Sequence, residues 1–255
     1  MSNTYFQFKQ FIVHQEHTAM KVCTDACLFG AWLAKDQTLL DASSILDIGT
    51  GTGLLSLMVA QAKLAKLDNH LSASNFQITA IEIEPLAAAE AFRNFNLSPW
   101  VSQLTLLNCS LQAYDAVNNT KSFDCIFTNP PFFEGDLASP NPNKNLAAHS
   151  SALPWTILIQ KVNELLNEDG YYYVLIPALR AYTMQKLADQ NGLKLLEEVV
   201  VFNAAHQKPF RVMQKYKKTK QAIDTIKRSN FMIKEADQTY TAAFIHLLKE
   251  YYLHL

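Results

Sequence analysis

Three places in the sequence combine residue types that can hold a nucleotide and act on it. The first is Asp47-Ile-Gly49-Thr50-Gly51-Thr-Gly53. Glycines there let the backbone turn sharply and let a ligand lie against it with no Cβ in the way. The spacing is G-x-G-x-G, not the G-x-G-x-x-G of a dinucleotide-binding turn, which suits a nucleoside bound without a pyrophosphate. The second is Ile81-Glu82-Ile83-Glu84-Pro85. An acid at a strand end can accept hydrogen bonds from ribose hydroxyls, which points to Glu82. Glu84 suits the first turn of a helix, where the macrodipole favours negative charge. The third is Asn129-Pro130-Pro131-Phe132-Phe133-Glu134. In isolation an Asn and two prolines read as a plain turn. At the end of a strand in the same sheet as the Asp47 turn, they acquire a chemical use. The exocyclic amino group of a base is a poor nucleophile, because its lone pair is delocalised into the ring. The Asn129 side-chain oxygen and the Pro130 carbonyl can accept its two N–H bonds and stabilise charge developing on nitrogen. The prolines hold those acceptors rigidly, and Phe132 offers a face on which a flipped base can stack.

Strand and helix patterns alternate around these motifs. Strands are expected over 44–48, 77–83, 103–107, 123–128, 171–176, 193–202 and 211–216, the last completing the sheet. Helices are expected over 53–66, 85–96, 155–167, 180–190 and 240–253, with Pro85 at a first-turn position and Asp169-Gly170 as a stop. Residues 6–22 alternate between polar and apolar and predict an extended segment or hairpin. Thr24-Asp25 reads as the N-cap of a helix through Leu28, Trp32 and Leu33. A Pro/Asn-rich loop follows Asn129 to about residue 151. The alternation implies an α/β, Rossmann-like fold: a mostly parallel twisted sheet covered by helices on both faces. It also implies one domain over 1–255. An N-terminal hairpin and helix would fill 1–43, the catalytic sheet and helices 44–218, and a helical extension 219–255. Ligands of such sheets bind beyond the carboxyl ends of the strands, where all three motifs stand.

Composition narrows the classes. With 49% hydrophobic and 18% charged residues among 255, disorder over most of the length is excluded. No apolar run approaches the roughly 20 residues of a membrane span; 54–60 soon meets Lys63. The start lacks a basic segment followed by an apolar one, so no secretory signal and a cytoplasmic location are expected. Cys23, Cys27, Cys109 and Cys125 are expected to be reduced thiols. His14 and His17 have no acidic or thiol cluster beside them, so no metal is implied. The net charge of -1 conceals an asymmetry. Residues 208–228 carry eight basic side chains against Asp224, a charge of +7, which leaves -8 on the remainder. Lys208, Arg211, Lys215, Lys217 and Lys218 are therefore expected to face a polyanion. The alternative is an ordinary basic loop and strand.

Taken together, the motifs resemble the class I S-adenosylmethionine-dependent methyltransferases, and among them the amino-methylating group with an Asn-Pro-Pro-aromatic motif. Further runs look like the bacterial tRNA(Val) adenine-37 N6-methyltransferase family. They are Phe8-Lys-Gln-Phe11, Ala19-Met-Lys21-Val22, Thr24-Asp25, Gly30-Ala-Trp32, the turn after Ile45 and Ser98-Pro-Trp100. The likeness spans nearly the whole chain. It implies methyl transfer from S-adenosylmethionine to N6 of the adenine beside the anticodon of a tRNA. It further implies catalytic roles for Asn129, Pro130, Pro131 and Phe132. Cofactor contacts would come from Lys21, Thr24, Asp25, Asp47, Gly49, Thr50, Gly51, Gly53, Glu82, Ile83, Ser110 and Asn129. A monomer without metal or membrane contact is expected.

Three positions depart from the family pattern: Cys23 stands where Gly is frequent, Ser110 where an acid is common, and Phe132 where Tyr is frequent. Ser110 can still hydrogen-bond, and Phe132 keeps the stacking face. Phe132 also admits guanine N2 methylation of rRNA. Methylation of a glutamine amide in a protein is chemically similar, but the +7 stretch speaks against it. A nicotinamide oxidoreductase would lack its glycine spacing and leave Asn129-Pro-Pro-Phe132 without a use. A non-catalytic RNA-binding module would explain only the basic stretch.

Overall fold

The computed structural model of the chain describes residues 3–18, 20–67, 76–114, 122–130 and 153–255. An N-terminal hairpin pairs Tyr5–Gln7 (β1) with Ile12–His14 (β2), and helices Thr24–Leu33 (α1) and Gln37–Asp41 (α2) follow. Next come Ser44–Ile48 (β3), Leu54–Leu67 (α3), Gln77–Glu82 (β4), Pro85–Asn96 (α4), Leu104–Asn108 (β5) and Phe123–Thr128 (β6). The remainder contributes Trp155–Leu165 (α5), Leu166–Pro177 (β7), Ala181–Gln190 (α6), Leu193–Ala204 (β8), Arg211–Lys218 (β9), Lys227–Lys234 (β10) and Ala242–Leu248 (α7).

Eight strands form one sheet in the order β10-β8-β9-β7-β6-β3-β4-β5. Only β9 runs against its neighbours, pairing antiparallel with β7 and β8. The chain leaves β3 toward β4 and β5, then returns to lay β6 and β7 on the other side. The crevice between the carboxyl ends of β3 and β6 is therefore the topological switch point. Strand alternation divides the core into two layers. Cys125, Phe127, Tyr173 and Leu175 pack toward α1 and α3, while Ile126, Tyr172, Val174 and Ile176 pack toward α5 and α6.

Four expectations are corrected. Cys23, not Thr24-Asp25, is the N-cap of α1; it is extended and makes no side-chain cap, and Thr24 is already the first helical residue. Helix α5 ends at Leu165, before the expected 167, and β7 begins at once. Phe123 pairs with Leu166 and Cys125 with Tyr171, so residues 167–170 bulge opposite Asp124, with Asp169 at φ +64°. Strand β9 is not the last: β10 adds parallel to β8 at the sheet edge. Its only buried side chain is Ile233, so the sequence shows no apolar alternation there. The terminal helix is shorter than 240–253, because Thr241 caps it and Tyr240 bridges to Lys234. Residues 219–255 thus supply a strand as well as a helix. The chain ends are tied together, with Lys9 N–H donating to Tyr251 O and Phe8 bridging to Tyr252.

Candidate active site

Strand β3 delivers Asp47 into the interior, fully buried on the face toward α3. Its Oδ2 accepts hydrogen bonds from Thr50 Oγ1 at 2.6 Å and Ser56 Oγ at 2.7 Å. Its Oδ1 is buried and accepts none. Burial pushes the Asp47 carboxyl up to about 6; the Thr50 and Ser56 hydroxyls oppose that rise, and the Glu82 charge adds to it.

The turn that follows is fastened at both ends. Gly49 and Thr50 N–H both donate to Ile81 O, at 2.9 and 3.0 Å, which pins the turn to the end of β4. Gly49 and Gly51 have φ of +69° and +58°, values that L side chains rarely adopt. A Cβ on either would meet nothing within 4 Å, so the space before the turn is open to a ligand. Gly53 shares the positive φ, at +84°, and has a second reason. A Cβ there would lie 2.5 Å from the Phe95 ring, so its bare backbone lets α4 approach.

Glu82 ends β4 and is nearly buried. Its Oε2 accepts from Gly51 N–H at 2.9 Å and its Oε1 from Glu84 N–H at 3.0 Å. Each carboxylate oxygen retains a lone pair after one bond, so Glu82 can still receive hydroxyls at the open side. Glu84 is the N-cap of α4, accepting from Ala87 N–H at 2.6 Å, and Ile83 is exposed. Beyond β5, Ser110 Oγ accepts from Ala113 N–H at 3.1 Å. Asn108, which no motif or spacing singles out, donates to Glu82 O at 2.8 Å and Ile83 O at 3.3 Å.

At the end of β6, Thr128 Oγ1 donates to Ile48 O at 2.7 Å, joining the two strand ends across the switch point. Asn129 follows directly. Its Oδ1 is buried and has no hydrogen-bond partner. A buried acceptor left open costs free energy, so such atoms are few. Thr18 Oγ1, Gln61 Oε1 and the Tyr172 hydroxyl share this state elsewhere, and Asp47 Oδ1 and Asn129 Oδ1 are the two at the switch point among the described residues. Pro130 is buried beside it. Pro131 and Phe132 lie outside the described residues.

The remaining expected residues are placed differently. Lys21 Nζ donates to the Gln15 carbonyl and reaches Glu16 O at 3.4 Å, so it holds the N-terminal arm. Asp25 accepts from Arg211 Nε at 2.8 Å. That arm is fixed further by α4, where Glu90 accepts the His17 and Thr18 amides at 3.0 and 2.9 Å. Asn94 accepts from His14 N–H and donates to His14 O and Thr52 O, each at 2.9 Å. The helix therefore links the arm to the glycine turn.

The expected basic set does not form one outward face. In β9, Arg211, Lys215 and Lys217 point to the α1 side and Lys218 to the α5 side, as strand alternation requires. Lys215 is buried, with Nζ 2.7 Å from Asp36 Oδ2 and 4.9 Å from the Tyr171 ring centroid. Lys217 pairs with Asp169 at 2.8 Å. Lys218 donates to Asn163 O and Leu166 O, both at 2.9 Å. Lys208 alone of the five is exposed. Much of the +7 stretch thus has an acid or a carbonyl of the same chain beside it.

The cysteines are free thiols, and burial pushes Cys27 and Cys125 up to about 12. Among the described residues no group of three or more His, Cys, Asp or Glu side chains is placed to hold a metal ion. Among them, too, no helix is long and apolar enough to cross a membrane.

Comparison with known proteins agrees with this geometry. The family described as "Methyltransferase small domain" matches residues 30–183. A Cytophaga hutchinsonii protein named tRNA1(Val) (adenine(37)-N6)-methyltransferase is 40% identical over all of both chains. Relatives of the same name from Dyadobacter fermentans and Haemophilus influenzae are 37% and 33% identical, covering 98% and 97% of this chain and 98% of each relative. Among solved structures, an Agrobacterium tumefaciens protein described as a predicted O-methyltransferase superposes with a TM-score of 0.65. It covers 89% of this chain and 96% of its own at 16% identity, a likeness of fold alone. The chain belongs to the small-domain methyltransferase family, in the group of relatives named tRNA1(Val) (adenine(37)-N6)-methyltransferases.

Proposed function

We propose that the protein methylates the exocyclic N6 of an adenine in tRNA, adenine 37 of tRNA1(Val), with S-adenosylmethionine as donor. The observation that carries this reading is the buried, partnerless Asn129 Oδ1 at the switch point, beside the glycine turn. The residues present fit the cofactor. Open space lies before Gly49 and Gly51, a carboxylate stands at the end of β4, and Asp47 keeps one buried oxygen without a donor.

In this reading Glu82 receives the ribose hydroxyls while its two amide contacts hold the turn in shape. Asp47 offers Oδ1 to a hydrogen-bond donor entering along the turn. S-adenosylmethionine, when bound, supplies an electrophilic methyl group on sulfur. Asn129 Oδ1 accepts one N–H of the target amino group and the Pro130 carbonyl the other, which aims the nitrogen lone pair at that methyl. Fixed acceptors favour the transition state because positive charge grows on nitrogen as its bond to the methyl carbon would form. The carbon–sulfur bond would break, leaving a neutral thioether, and the nitrogen would then lose one N–H proton to solvent. The work left to the chain is alignment more than proton transfer. An adenine reaches Asn129 only when swung out of its stack.

The test is transfer of labelled methyl to tRNA1(Val) transcripts carrying adenine or guanine at position 37, followed by nucleoside analysis. Label recovered as N6-methyladenosine from the adenine transcript alone supports the reading. Label on guanine, or none on either transcript, refutes it.

A further inference from the structure

We propose that Leu179, Arg180 and Tyr182, at the carboxyl end of β7, form the surface that receives the single-stranded nucleotides flanking the target base. The inference rests on the function proposed above. Strand β7 lies beside β6 in parallel register, with Thr128 opposite Val174. Asn129 and Pro130 therefore leave the sheet alongside 175–177, about 5 Å away. A single 3-10 turn, Ala178–Arg180, then leads into α6.

Leu179 is 95% exposed and Tyr182 is 76% exposed, more than any other large hydrophobic residue among those described. One exposed leucine needs no explanation. Two such side chains three positions apart, with an exposed Arg between them and next to the candidate site, make a patch that matches a partner. Lys186 is exposed one helical turn beyond Tyr182 and shares its face. The turn between β8 and β9 brings Lys208 to the same edge, because Ala178 N–H donates to Phe210 O at 3.2 Å and Pro177 stands opposite Arg211.

Charge sorts the cations of this half of the molecule. Lys215, Lys217, Lys218, Lys227 and Arg228 have carboxylate partners in the chain. Arg180, Lys186 and Lys208 have no ion-pair partner among the described residues and stand near the edge that carries Asn129, whereas Lys220, also unpaired, lies at the opposite end of the sheet, beyond β9. Aromatic and aliphatic faces interleaved with unpaired cations suit unstacked bases on a phosphate backbone. Stacked duplex bases would present no face to Tyr182, so the occupant is a single-stranded loop of the RNA substrate.

The test is tRNA1(Val) binding measured across salt concentrations for wild type, Tyr182→Ala, Tyr182→Phe, Arg180→Gln and Leu97→Ser. Leu97 is 65% exposed at the far end of α4 and serves as the control for a generic apolar loss. Tyr182→Ala should weaken tRNA binding about tenfold, Tyr182→Phe should restore most of it, and cofactor Kd should stay unchanged. Arg180→Gln should lower the salt slope by roughly one unit. Leu97→Ser should bind as wild type. Unaltered affinity and slope in both Tyr182→Ala and Arg180→Gln, in a protein that methylates tRNA, would overturn the proposal alone. A wild type that neither binds nor methylates tRNA would overturn the proposed function with it.

Discussion

The amide of Gly51 donates to Glu82 Oε2 at 2.9 Å, so the carboxylate proposed to hold the cofactor ribose also holds the glycine turn beside it. Removing Glu82 therefore has two consequences for one site. Glu82→Ala should weaken S-adenosylmethionine about 10- to 100-fold, since hydrogen bonds to a charged group contribute about 1.5–3 kcal/mol. Glu82→Gln, which keeps an acceptor for Gly51, should lose less. Calorimetric titration of both variants checks this, and equal affinities for Glu82→Ala and wild type would contradict it.

Asn129→Ala separates chemistry from cofactor binding. Loss of one acceptor for the amino group should lower kcat on the order of 100-fold. Cofactor Kd should change little, because the Gly49–Gly53 turn and Glu82 are untouched. Single-turnover methylation with saturating tRNA reads the chemical step directly.

Asp47 predicts a pH dependence of defined sign. Its folded value of about 6 lies above the ordinary aspartate range, so ionisation disfavours the folded state. The free protein should have this contribution in full below the unfolded value and lose it as pH rises through about 6. Thermal melts from pH 5 to 8 should therefore show a decline that Asp47→Asn flattens. Glu90 has the opposite sign. Burial raises its carboxyl, but the His17 and Thr18 amides outweigh that and hold it below the ordinary range. Its contribution should be present above the unfolded value of about 4.3 and fade below it, taking the N-terminal arm with it. Hydrogen exchange of the His17 and Thr18 amides, with Glu90→Gln as reference, measures that release.

Lys215 tests the reassignment of the basic stretch. Lys215→Ala leaves the half-buried Asp36 against Thr38 and Tyr173 without its cation, which costs up to about 3 kcal/mol, the low end for a buried pair. Denaturant unfolding should show that loss, and the salt slope of tRNA binding should not move. A shallower slope with unchanged stability would return Lys215 to the RNA interface.

The order of the central elements was legible because buried parallel strands are apolar throughout and glycines or prolines end them. The strands at Ser44–Ile48 and Phe123–Thr128 and the helix Pro85–Asn96 stand where periodicity puts them. The meeting of Asp47, Glu82 and Asn129 at one edge follows from the rule for strand ends. What stayed hidden depends on distant partners. Lys215 reads as a surface charge until Asp36, 179 residues away, is beside it. Asn94 reads as an ordinary helix residue, yet it joins segments 80 and 42 residues distant. Strand β10 rests on backbone pairing to β8, with Lys227 and Arg228 beside Glu197 and Glu198 instead of an apolar face.

The most direct measurement of the central claim is nucleoside mass spectrometry of tRNA1(Val) from a strain lacking this protein, complemented with wild type or with Asn129→Ala. The account predicts that N6-methyladenosine is absent from the deletion strain, returns with wild type, and fails to return with Asn129→Ala at matched protein levels. Unchanged N6-methyladenosine in the deletion strain, or full restoration by Asn129→Ala, would contradict it.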